Sequence, residues 1–293
     1  MKNKNKNWIL YSGIVAVLLG LVVLWSTKTE YYHSRLNMET NFITLLFFSI
    51  IIAPVFEELA FRGYFTRSKK IQIPSLILLL VYVLISFNFI NLILFLAILT
   101  FILLNNGKEN NLIFFFSILL FGTIHYQVSD FTSLSAFYTI LFQLGLGAIL
   151  LWVVINFNLK RAVLLHALFN LVMLSFTYFS IMYKTDFSEK RIENDTIHVV
   201  WKKEFNLYPK NESLILTDNS FKAQNYTPLS LYKALQNNKS SNKIKNLFIK
   251  EPLMNYSIDF SLKDSLNVDN DELAKKYLQF CIDNGILKDV TDK

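Results

Sequence analysis

Side chains able to do acid–base chemistry are scarce in the first two thirds of this chain, and those present stand inside or at the ends of apolar runs. Glu57-Glu58-Leu59-Ala60-Phe61-Arg62-Gly63 sets two carboxylates and a guanidinium at the end of the run Phe42 to Phe56. A charge at bilayer depth costs roughly 2.5 to 3.5 kcal/mol on insertion scales, so such residues mark a functional site by default. On a helix, Glu58 and Arg62 share a face with the acid N-terminal, the orientation that favours an ion pair. Glu57 projects about 100° away and is left to hold a proton or a water. His125 closes Phe121-Gly122-Thr123-Ile124-His125, and His166-Ala167-Leu168-Phe169-Asn170 places a His and an Asn on one helix face. Gathered in a water-filled membrane pocket, these groups suit hydrolysis. Glu57 takes a proton from water, His125 positions that water, and His166 with Asn170 donates to a tetrahedral oxyanion.

Each residue also has a plainer reading. A lone intramembrane histidine such as His125 is often a helix-to-helix hydrogen-bonding group, and Asn170 can be interhelical glue worth on the order of 1 kcal/mol. Glu58 and Arg62 read as mainly structural and Phe121 as packing, while His33 and His198 lack a partner pattern.

The elements that must position these groups follow from composition. The chain is 53% hydrophobic and 17% charged, with apolar residues in long blocks, which is a membrane composition. Seven apolar runs are candidate helices: Trp8 to Trp25, Phe42 to Phe56, Ile73 to Phe89, Asn91 to Leu104, Leu112 to Tyr126, Ala136 to Ile155 and Ala162 to Met182. Several fall short of the roughly 20 residues that cross a bilayer untilted. The third and fourth, joined through Asn88 and Asn91, read as a tight hairpin or one re-entrant element. With the N-terminus inside, the inner side receives Lys2, Lys4, Lys6, Arg62, Arg67, Lys69, Lys70, Lys108, Lys160 and Arg161, and the outer side only Lys28 and Arg35. This is the asymmetry of the positive-inside rule, and seven spans then leave the tail outside.

Residues 1–183 hold 12 Lys and Arg against 6 Asp and Glu, whereas 184–293 hold 17 against 16. The chain is therefore read as a polytopic membrane domain, 1–183, followed by a soluble domain, 184–293. The net charge of +7 lies mostly beside membrane spans and gives no reason to expect nucleic acid. One cysteine, Cys281, excludes an internal disulfide and a cysteine-based metal cluster. In the tail, strands are expected at Thr196 to Trp201, Ser213 to Leu216, Asn246 to Ile249 and Tyr256 to Leu262. Helices are expected at Leu229 to Leu235 and Asp271 to Ile282, with Gly285 as C-cap. The sequons at Asn211, Asn225, Asn238 and Asn255 are chance matches in an Asn-rich chain. The fold expected is an all-α polytopic membrane protein of about seven transmembrane helices with a small C-terminal α+β soluble domain.

The three segments occur in one order, each at a span, and in this they resemble the CPBP family of intramembrane endopeptidases, the CAAX protease and bacteriocin-processing or Abi family that includes Rce1-type prenyl proteases. The motifs E-E-x-x-x-R, F-x-x-x-H and H-x-x-x-[ND] are matched by Glu57-Glu58-x-x-x-Arg62, Phe121-x-x-x-His125 and His166-x-x-x-Asn170. The resemblance covers about residues 42 to 182. It implies Glu57 as the base activating water with His125, and His166 with Asn170 as the oxyanion-stabilising pair. Two features depart from the family pattern. The 62 residues from Gly63 to Ile124 are longer than the usual connection and read as containing an inserted hairpin, and the soluble tail lies outside the resemblance.

The expected activity is endopeptidase hydrolysis of membrane-associated or lipidated proteins or peptides by glutamate-activated water, in a bacterial cytoplasmic membrane. The bilayer itself is the other partner, and no cofactor is expected. One alternative is a zinc-dependent version of the same hydrolysis with Glu57, His125 and His166 as ligands. Another is a non-catalytic immunity, resistance or scaffold protein of the same fold. An ion-coupled transporter fits poorly, since no matching half-repeats with interrupted helices are present. Depth is the weak joint. Counted from the span starts, Glu57 and His166 lie near the inner end, while His125 lies about thirteen residues, on the order of 20 Å, along an outward helix. Closing the site then requires shifted boundaries, or bends at Pro54 and Gly122.

Overall fold

The computed structural model describes residues 6–27, 40–66, 68–86, 88–105, 110–126, 134–236, 247–249, 253–263 and 269–289. Lys2, Lys4, Lys28, His33, Arg35, Arg67, Lys108 and Asn238, weighed above, lie outside them. The described residues form two compact units, one built from those up to 27 and from 47 to 175, the other from 40–46 and from 176 onward.

The helices are α1 (Asn7–Thr27), α2 (Phe42–Phe47), α3 (Ala53–Arg62), α4 (Lys69–Ser86), α5 (Phe89–Leu104), α6 (Asn111–Thr123), α7 (Leu134–Asn156) and α8 (Leu159–Lys184). A π-helical turn, Phe48–Ile52, joins α2 to α3, and a 3-10 turn, Gly63–Phe65, follows α3. Four stretches are long and apolar enough to cross a membrane: Phe42–Phe65, Lys69–Ser86, Tyr138–Asn156 and Leu159–Lys184. Asn7–Val22, Phe89–Leu104 and Asn111–Thr123 are shorter apolar helices. Large apolar side chains such as Ile77, Leu84, Leu96, Leu164, Phe176 and Phe179 stand exposed on these helices. Such surface is stable only in hydrocarbon, and the protein is an integral membrane protein.

The first unit packs through small residues. A Cβ added at Gly13 would stand 2.8 Å from the carbonyl oxygen of Gly145, so the backbones of α1 and α7 touch there, as small residues permit between membrane helices. The same reasoning applies to Gly122. Helix α6 runs on through it to Thr123, and its missing side chain is where Leu144 of α7 sits, so Gly122 serves close approach.

The second unit holds an antiparallel sheet of order β1-β2-β6-β4-β3, from β1 (Lys190–Glu193), β2 (Ile197–Phe205), β3 (Ser213–Thr217), β4 (Ser220–Tyr226) and β6 (Met254–Leu262). A two-stranded pair joins β5 (Leu247–Ile249) to β7 (Leu287–Asp289). Alternation at period two buries Val199, Trp201, Phe221, Ala223, Ile258 and Phe260 with α9 (Pro228–Leu235) and α10 (Asn270–Asp283). Rings interlock in this core: Trp201 meets Phe280 edge-on at 5.2 Å between centroids. Helix α10 ends in a Schellman motif, with Ile286 N donating to Cys281 O, Gly285 N to Ile282 O, and Gly285 at φ 64° as the residue after the Asn284 cap. Strands β1, β4 and β7 were not expected from the sequence. KRIE and SFKAQNY are mostly polar, so apolar content does not mark them as strands, although β4 buries Phe221 and Ala223.

Residues 40–46 join this unit through hydrogen bonds. Phe42 N donates to Asn206 O at 2.8 Å and Ile43 N to Leu207 O at 3.0 Å, satisfying first-turn donors of α2 that have no partner within the helix.

Candidate active site

The helix carrying the carboxylates is built around a break. In the π-helical turn Ala53 N donates to Phe48 O, one residue wider than α-helical spacing. The next carbonyl, Ser49 O, faces Pro54 at the same wide spacing, and proline has no N–H to give. That carbonyl receives the side-chain amide of Asn170 at 2.7 Å. Asn170 thereby ties α8 to the turn preceding α3.

Helix α3 also ends inside the helical bundle, where its last carbonyls need donors. Gly63 N reaches Leu59 O, Ser75 Oγ of α4 reaches Ala60 O at 3.1 Å, and Ser117 Oγ of α6 reaches Phe61 O at 3.2 Å. Ser75 and Ser117 were not singled out from the sequence, although an isolated serine within an apolar run is the signal that could have marked them.

The helical apolar stretch does not stop at Phe56 but continues to Phe65, whose ring packs on Phe114 of α6 at 5.3 Å. Glu57 is eight residues back from that contact, about 12 Å, and His125 is eleven residues forward, about 16 Å, on a helix running the other way. The expected gap of about 20 Å came from a misplaced span end. The structure sets His125 Nε2 and Glu57 Oε2 3.9 Å apart.

His166 Nε2 stands at the same distance, 3.9 Å, from the same Glu57 oxygen. The other nitrogen of His166 lies 2.9 Å from Glu58 Oε1, which also receives Arg62 Nη1 at 2.7 Å. Glu58 is 0% and Arg62 1% exposed, so this pair must be satisfied internally. Arg62 Nη2 donates to Gly147 O at 3.4 Å, and the guanidinium lies over the Phe121 ring at 3.8 Å from its centroid, a cation–π contact. Phe121, expected as packing, is the hub on which the charged groups assemble. Its ring also meets His125 at 5.9 Å and His166 at 6.2 Å, both edge-on. Gly147 was missed by the sequence reading. A Cβ there would stand 2.8 Å from Phe121 Cδ1, so the ring requires a glycine, and Gly145-Leu146-Gly147 within an apolar helix was the available sign.

Glu57, Glu58, Arg62, His125 and His166 therefore form one cluster, while Asn170 is held by the Ser49 carbonyl one turn along α8 from His166. Among the described residues no group of three or more His, Cys, Asp and Glu side chains has a metal-binding arrangement. The donor set Glu57, His125 and His166 would have to close from 3.9 Å toward the roughly 3.4 Å separation of ligands held at about 2.1 Å from a tetrahedral zinc.

No curated protein and no solved structure shows a significant match to the chain. Residues 39–172, which carry every member of the cluster, match the family model described as type II CAAX prenyl endopeptidase Rce1-like, and the match supports the CPBP/CAAX protease family, a family of peptidases, for this segment.

Proposed function

We propose that the protein is an intramembrane endopeptidase that hydrolyses peptide bonds of membrane-associated or lipidated proteins with a water activated by Glu57. The observation that carries this reading is the position of Glu57 Oε2, 3.9 Å from both His125 Nε2 and His166 Nε2. Those distances are too long for direct hydrogen bonds and suit one water lying between the groups.

In the proposed reaction the Glu57 carboxylate removes a proton from that water as its oxygen bonds to the scissile carbonyl carbon. The carbonyl π electrons move to oxygen, giving a tetrahedral oxyanion. Collapse restores the carbonyl and breaks the C–N bond, and the proton held by Glu57 passes to the departing amine. The contact of 2.9 Å between His166 Nδ1 and Glu58 Oε1 orients the imidazole and leaves Nε2 toward Glu57, as the group proposed to stabilise the oxyanion. Asn170 gives one amide hydrogen to Ser49 O and has one left, so its first task is holding the helix break.

The seven apolar helices support a seven-span reading with the N-terminus inside and residues 184–293 outside the cytoplasmic membrane of a bacterium. Metal-free chemistry is preferred over the zinc alternative because the two Glu57–histidine separations of 3.9 Å suit a bridging water. The test is cleavage of candidate lipidated or membrane-tethered peptides by detergent-purified protein, comparing wild type with Glu57→Gln, His125→Ala and His166→Ala. Loss of cleavage in all three folded variants supports the reading. Equal behaviour of wild type and Glu57→Gln removes Glu57 as base and favours the scaffold.

A further inference from the structure

His125 stands beyond the last residue of α6, in a turn, and the helix ladder alone does not fix it. What holds its neighbours comes from the α4–α5 hairpin. Asn88 Nδ2 donates to Tyr126 O at 2.9 Å. Thr123 Oγ1 donates to Asn91 Oδ1 at 2.8 Å, and Asn91 Nδ2 donates in turn to Ser86 Oγ at 3.1 Å, which fixes the orientation of the amide. The residues two before and one after His125 are thus both gripped by asparagines of one hairpin.

The two amides are deeply placed, Asn91 fully buried and Asn88 nearly so. A buried amide in an apolar bundle is tolerated only when its hydrogen bonds are made, and made bonds in such a setting specify one geometry. Asn88 has a second duty, since its Oδ1 accepts from Ile90 N and caps α5. The hairpin is therefore fastened at its own turn and to the end of α6 by the same side chains.

We infer that Asn88 and Asn91 are positioning residues for His125, so that the α4–α5 hairpin is a working part of the active site. The inference rests on the hydrolytic role proposed for His125. Neither amide is placed against substrate; both act by holding the turn from which the imidazole projects toward Glu57.

Two substitutions separate this role from plain stability. Asn88→Ser keeps a capping oxygen for Ile90 N and removes the reach to Tyr126 O. Thr123→Val removes the hydroxyl at nearly constant shape, and Thr123→Ser restores it. On the peptide that wild type cleaves, Asn88→Ser and Thr123→Val are expected to lower kcat by about ten- to a hundredfold with KM within about twofold, as a displaced group that acts on the transition state does. A limb of the kcat–pH profile should move with them, and Thr123→Ser should return both to wild type. A second readout is independent of cleavage: the imidazole ¹⁵N shifts of His125 in ¹⁵N-histidine-labelled protein, assigned with His125→Gln, should change in Asn88→Ser and Thr123→Val. Wild-type kcat, pH profile and His125 shifts in both variants would overturn the inference. If wild type cleaves nothing, the protease reading is lost, and the His125 shifts alone decide whether the hairpin positions this residue.

Discussion

His166 Nδ1 lies 2.9 Å from Glu58 Oε1, and this one contact links the second histidine of the site to a carboxylate that no solvent reaches. Glu58 is shared between His166 and Arg62, so its charge holds the helix through one partner and orients an imidazole through the other. Breaking a buried pair from one side costs about 3 to 5 kcal/mol, because the remaining charge is stranded. Arg62→Met and Glu58→Leu should each lower the unfolding midpoint of the detergent-solubilised protein strongly. The double variant should be less destabilised than the sum of the two, a non-additivity that thermal unfolding of all four proteins measures.

Asn170 offers a test of the helix break. Asn170→Ala leaves the Ser49 carbonyl without its donor, at an expected cost of about 1 to 2 kcal/mol. Pro54→Ala supplies a backbone N–H near that carbonyl, so Asn170→Ala should cost less in the Pro54→Ala background. Equal costs in the two backgrounds would show that the carbonyl freed by proline is not what Asn170 serves.

Gly147→Ala probes the seat of Phe121. The added methyl would meet the ring at 2.8 Å and lie 3.6 Å from Arg62 Nη2. Overpacking of this kind costs about 1 to 3 kcal/mol, and the ring it displaces carries Arg62 and both histidines. Stability and kcat should fall together, whereas an alanine at a glycine facing open space would change neither.

Cys281 is buried in the core of the second unit, and desolvation pushes its thiol up to about 12 from an ordinary value of 9.0. The thiolate is the reactive form, so at neutral pH far less of it is present than for an open cysteine. Maleimide should label the folded protein slowly and the urea-unfolded protein quickly. Rapid labelling without denaturant would contradict the packing of α10 against the sheet.

The proposed mechanism needs no metal, since a water between Glu57 and the two histidines requires only hydrogen bonds. Cleavage is expected to survive prolonged chelation, and purified active protein to carry less than one equivalent of bound zinc by elemental analysis. Loss of activity on chelation with recovery on zinc addition would move Glu57, His125 and His166 from base and donors to ligands.

What the sequence determined by itself was the chemistry and its carriers. Charges and imidazoles are so costly in hydrocarbon that their mere presence in apolar runs singled out Glu57, Glu58, Arg62, His125 and His166, and long uncharged blocks announced the helices. In the tail, strands with apolar residues at most positions were legible, Ser213 to Leu216 among them, while β1, β4 and β7, polar at half or more of their positions, were not. Only the tertiary structure decided which of the groups meet and what holds them there. Ser75 and Ser117 close the end of α3, Asn170 answers a carbonyl that Pro54 cannot, Gly147 makes room for Phe121, and Asn88 and Asn91 hold the turn at His125. Each is a hydrogen bond or a close contact between residues at least 15 positions apart. Periodicity along a chain records which face of a helix is apolar, but not which neighbour meets that face, and the partner's identity is settled by packing alone.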